Sequence, residues 1–168
     1  MNKFDPLKYF KEVAVKHKQI SHTDEKPAFF REFGSANILF NNSDFLTKMR
    51  DCANTALVAQ FNEDGGINAN NIDNNSRTYD GAIYLIRKVD VTDYDGIEST
   101  RKDLILIWND IYAKLSNDIR KEQFHPSPSG LNFKIYAIGM IADSFYGIAI
   151  LMSYSEKYCV KYDASKWI

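Results

Sequence analysis

Apolar residues recur along the chain with two different spacings, and the change from one to the other marks the elements. At the start, Leu7, Phe10, Val13, Ala14 and His17 share one face at helical spacing, with Asp5 placed to cap and Pro6 suited to the first turn. This predicts a short amphipathic helix that packs on a sheet. Residues 21–27 are a polar break, and Phe29, Phe30 and Phe33 then alternate poorly with Arg31 and Glu32, which reads as extended chain. Residues 36–40 fit a short strand. From Ser43 to Ala53, Phe45, Leu46, Met49 and Cys52 fit helical spacing, and a helix or an irregular turn both suit them. Residues 55–61 are apolar and partly β-branched, as a strand requires.

Residues 62–79 form the most polar stretch, with Asn62, Asn68, Asn70, Asn71, Asn74 and Asn75 around Gly65 and Gly66, and Arg77 near its end. A loop of that length inside a compact domain is uncommon. It reads either as a contact arm or as a plain surface excursion. Residues 81–89 carry apolar side chains on both alternating faces, which predicts a central strand. Residues 95–123 form a long amphipathic helix. Asp95 and Glu98 have capping-box spacing, and Leu104, Ile107, Trp108, Ile111, Leu115 and Ile119 make a stripe opposed by Arg101, Lys102, Asp110, Lys114 and Asp118. Pro126, Pro128 and Gly130 end it. Residues 133–142 and 145–154 are then two strands about an Asp143–Ser144 turn, the second with Tyr146, Ile148, Ile150, Met152 and Tyr154 on one face.

The order predicts a single α+β domain over residues 1–168: a mostly antiparallel sheet with two main helices packed on one face, a polar loop at 62–79 and a C-terminal arm at 157–168. In that arm Lys161, Tyr162, Lys166 and Trp167 interleave cations with aromatics. This suits either packing on the domain or stacking on single-stranded nucleic acid.

Composition narrows the chemistry. With 21 basic and 22 acidic residues the chain has no global field to attract nucleic acid or anionic membrane. Cys52 and Cys159 sit in no metal-ligand or redox spacing, which predicts buried free thiols. Asp5 and Lys8 interrupt what a signal peptide needs to keep apolar, and no run approaches the roughly 18 apolar residues of a membrane span. His17, His22 and His125 lie apart. His22 with Asp24 and Glu25 could be imagined as a general base, but a solvated turn is the plainer reading. Counting from Asp90, a calcium loop would need glycine sixth and glutamate twelfth, where Asp95 and Arg101 stand. No phosphate-loop, GxGxxG or GxSxG pattern occurs. A non-enzyme without metal or cofactor is expected.

The N-terminal helix, the stretch from His22 to Arg31, the Trp108-centred helix and the hairpin segment Ser144, Phe145, Tyr146, Gly147, Ile148 together resemble small virion-neck proteins of phages of Bacteroides-type bacteria, the crAss-like phages among them. In element order the chain is similar to tail-terminator and tail-completion proteins of tailed phages. The resemblance implies a structural virion protein of the head-to-tail junction, made in the host cytoplasm, forming a homo-oligomeric ring. It would contact portal or connector and tail proteins, with DNA passing through without sequence recognition and no membrane involved. The loop at 62–79 and the segment after Glu156 depart from the simpler pattern. Asn62, Asn70, Asn71, Asn74, Asn75, Arg77, Lys161, Tyr162, Lys166 and Trp167 are the candidate interface residues. The alternative is a monomeric binding or regulatory module of a mobile element that uses the Asn-rich loop for recognition.

Overall fold

The computed structural model describes residues 3–32, 47, 49, 52, 55–61, 66–68, 75–124, 128–141, 144–157 and 165. Helix α1 spans Pro6–Lys16. Asp5 caps it by accepting the Lys8 backbone N–H, and Pro6 occupies the first turn, where a missing N–H costs nothing. The strands are β1 (Phe29–Glu32), β2 (Ala56–Phe61), β3 (Ile67–Asn68) and β4 (Ser76–Lys88), followed by helix α2 (Tyr94–Arg120) and then β5 (Ser129–Ile141) and β6 (Phe145–Lys157). The sheet order is β1-β2-β4-β6-β5, with β3 paired to the start of β4.

The fold is the α+β arrangement expected, with four refinements. β1 pairs with β2 in parallel, while every other described pairing is antiparallel. The polar stretch at 62–79 is not loop throughout: β4 begins at Ser76, and Ile67 and Asn68 pair with Arg77 and Ser76. α2 is capped two residues earlier than the capping-box spacing suggested, because Asp93 rather than Asp95 accepts the Gly96 N–H, and Glu98 instead pairs with Lys102. It stops at Arg120, before the prolines, where Glu122 turns left-handed at φ 51°. The strand expected at 36–40 lies outside the described residues. Of the 43–53 segment, Thr47 and Met49 are helical, and Met49 and Cys52 are buried in the core.

Register explains which side chains meet the helices. β6 lies between β4 and β5, and Ile148, Ile150, Met152 and Tyr154 share its face with Leu85, Ile83, Gly81 and Tyr79 of β4 opposite them. α2 lays Leu104, Ile107, Trp108, Ile111 and Leu115 on this face, and α1 adds Phe10 and Val13. The Phe61 ring lies over Gly81, where a Cβ would collide with it, and stacks on Phe10 at 5.8 Å, which ties α1 to β2. Val58, Tyr84 and Ile86 on the opposite face are buried too, so β2 and β4 are covered on both sides. Burial of this many large apolar side chains, each contributing about 1.5–3 kcal/mol, is the main stabilising term.

Candidate functional site

Four places gather polar or aromatic side chains. Beside the start of α1, a cross-strand ladder sets Arg77 opposite Glu156 and Tyr79 opposite Tyr154. The two tyrosine rings stack at 5.1 Å, and the Arg77 guanidinium sits over the Tyr79 ring at 5.0 Å, in cation–π range. Glu156 is buried. Its Oε2 meets Lys3 Nζ at 3.2 Å, while Oε1 has no hydrogen-bond partner among the described residues. Burial works against the Lys3 charge, but the Glu156 carboxylate outweighs it and raises the lysine pKa. Burial, then the Glu156 charge, pushes the Tyr154 phenol up. The cluster holds the ends of β4 and β6 under the N-terminal segment.

A second group joins the helices. Asp118, expected on the solvent face of α2, is buried and accepts from the Tyr9 hydroxyl at 2.9 Å and from the Lys114 ammonium. A carboxylate with two donors is tolerated in the interior where an unpaired one is not. Burial, then Asp118, pushes the Tyr9 phenol up, so it remains a donor.

His22 forms the third. It is buried rather than solvated, and its Nδ1 accepts the backbone N–H groups of Ala28 at 3.0 Å and Phe29 at 3.3 Å. The ring proton therefore sits on Nε2, and the nitrogen a general base would use is already occupied by the entry to β1. Burial, then the Lys11 charge, lowers its pKa, with Asp24 opposing. Protonation would turn Nδ1 into a donor facing two donors. Its folded pKa lies below the ordinary 6.5, so its contribution to stability is complete above that pH and is lost as pH falls beneath it. His22→Ala should cost about 1–3 kcal/mol in urea unfolding at neutral pH. The gap to the parent should shrink as the pH is lowered; parallel pH profiles for the two proteins would sink this assignment.

The fourth is an apolar flank where α2 overhangs β5. Arg101 Nη2 donates to the Ile138 carbonyl at 3.1 Å, and the Phe133 ring meets Trp108 at 5.2 Å and Tyr112 at 5.5 Å, both edge-on. Between these anchors lie Ile105 and Ile135, which with Tyr112 remain partly in solvent. On the reverse face of the same edge, Tyr136 is 50% and Leu151 44% exposed.

Of the residues singled out by sequence, Arg77 lies in the Glu156 cluster, and Asn75 at the start of β4 has its Oδ1 buried without a partner. Asn62, Asn70, Asn71, Asn74, Lys161, Tyr162, Lys166 and Trp167 lie outside the described residues. Sequence reading missed Asp118 and the α2–β5 flank. The flank had a signal, since Ile105, Leu106 and Tyr112 interrupt the polar side of the helix. Among the described residues no group of His, Cys, Asp or Glu is arranged to hold a metal ion, and no helix is long and apolar enough to cross a membrane. Compared with family models, curated proteins and solved structures, the chain has no match.

Proposed function

We propose that the chain is a structural subunit of the head-to-tail junction of a tailed phage, a neck or tail-terminator ring protein that joins portal to tail around the DNA channel. The observation that carries this reading is the uncovered apolar flank along α2 and β5, with Ile105, Tyr112 and Ile135 left for another surface to cover. Contiguous exposed apolar side chains mark association sites. The likeness of the His22–Arg31 and Ser144–Ile148 stretches to neck proteins supplies the particular assembly. The action is mechanical: ring closure uses different faces of identical subunits, and the Asn-rich stretch between β3 and β4 and the segment after Glu156 would reach neighbours. DNA would pass without sequence recognition, in keeping with a net charge of −1. No cofactor enters.

Quantitative mass spectrometry of purified particles from the source strain tests this. The expected result is a copy number close to that of the portal. Absence from the particles overturns the reading and leaves the regulatory module, for which replacement of residues 69–74 by a glycine-serine linker should abolish capture of one soluble partner.

A further inference from the structure

We infer that β5 is a homodimerisation strand: the free protein pairs with a second copy of itself through antiparallel β5–β5 contact, with the two Ile135 residues facing each other at the twofold axis. Among the described residues β5 pairs with β6 alone, and its outer edge closes the sheet order. An edge strand presents unpaired N–H and C=O groups, and natural edges are usually short, charged or covered. This one runs 13 residues, with Ile135 44%, Tyr136 50% and Met140 57% exposed.

The occupant follows from self-complementarity. Register shifts interrupt the β5–β6 ladder between Ser129 and Asn132 and again between Ile138 and Ile141. The regular stretch is therefore 132–138, and its midpoint is Ile135. Placing Ile135 opposite its copy sets Phe133 against Ala137 and Lys134 against Tyr136, and continues outward to Leu131 against Gly139 and Gly130 against Met140. A large side chain thus faces a small one at three of these pairs. The one charge in the stretch, Lys134, meets an aromatic ring instead of its own copy, whereas an axis at residue 134 would oppose two ammonium groups directly.

The layers agree. An antiparallel pair has its twofold perpendicular to the sheet, so both α2 helices lie on the same side, and the Ile105 and Tyr112 flanks face each other across the seam. On the reverse side Tyr136 lies diagonally across the seam from its copy, with Leu151 one strand further in. One contact thus draws on apolar groups of both faces of the edge strand, Ile135 on the α2 side and Tyr136 on the other. The inference goes beyond the virion reading and concerns the unassembled protein, because the dimer occupies the flank that a ring neighbour would cover and must open before such a neighbour binds. An isologous contact closes on itself as a dimer, so particle copy number and dimerisation in solution can fail independently.

Sedimentation equilibrium of the purified full chain across a concentration series is the test, with register-specific charge variants. The parent protein is expected to be a dimer. Tyr136→Lys places a lysine opposite Lys134 twice per dimer, and should weaken association about tenfold or more. The double change Tyr136→Lys with Lys134→Glu should restore it. Both positions are exposed, and an unchanged circular dichroism spectrum shows that the subunit is intact. A monomer at every concentration, a dimer indifferent to Tyr136→Lys, or no recovery in the double variant would each overturn the proposal.

Discussion

Gly147→Ala is expected to destabilise the protein by about 3 kcal/mol or more, at or beyond the upper end of ordinary overpacking. Gly147 lies opposite Ile86 in the longest ladder of the sheet. A Cβ there would collide with the Leu85 carbonyl oxygen and approach Ile86 Cγ2 at 2.7 Å and Ile86 Cα at 3.0 Å. Two of these three atoms are backbone, so no rotamer change relieves the contact, and the β4–β6 pairing must open. Gly139→Ala in the neighbouring strand is the matched control, since its added carbon meets nothing within 4 Å. It should shift stability by no more than about 0.5 kcal/mol. Urea denaturation of both variants decides the matter; equal losses would show that the close approach is not what Gly147 serves.

Trp108→Ala should cost about 3–5 kcal/mol, the range for deleting a large buried aromatic. Trp108 is nearly fully buried, and its ring contacts Phe133 and Tyr112. The loss falls unevenly. The Trp108 ring meets Phe133 of β5 directly, whereas the β4–β6 ladder has its own thirteen-pair backbone register. Against a total stability of about 5–15 kcal/mol the variant stands near its unfolding threshold. Hydrogen exchange should show β5 amides losing protection first, ahead of β4. Uniform loss across the sheet would instead mean that Trp108 supports the whole core rather than this edge.

What could be read from sequence follows from how local each signal is. The cap of α1 needs only Asp5 and Pro6, and the α2 stripe needs only its own periodicity. The last two strands declare themselves by alternation. Parallel pairing of β1 has no local signature, because Phe29 and Phe30 look the same beside either direction of β2. Asp118 reads as surface by periodicity, and becomes interior only because α1 brings the Tyr9 hydroxyl across 109 positions. His22 is likewise assigned by partners that its neighbours in sequence do not announce, the N–H groups at the start of β1. Asp93 capped α2 in place of Asp95 because two acids two residues apart offer the same chemistry, and only the backbone turn selects one. The exposed edge was hidden for a related reason: alternation in β5 shows that it is a strand, and says nothing of whether a neighbour lies on its second side.

The order β4-β6, with α2 and β5 between them in sequence, has a consequence for how the chain acquires its structure. Thirteen residue pairs join Ser76–Lys88 to Phe145–Lys157, across sequence separations that make this ladder the slow step of folding. During synthesis the inner edge of β4 emerges long before its partner, and must wait, unpaired and rich in isoleucine, tyrosine and leucine, until residue 157 has left the ribosome. Over that interval the free edge of β4 is open to foreign strands. The yield of folded protein should therefore depend more on the speed of elongation through α2 and on chaperone supply than on the stability of the finished domain.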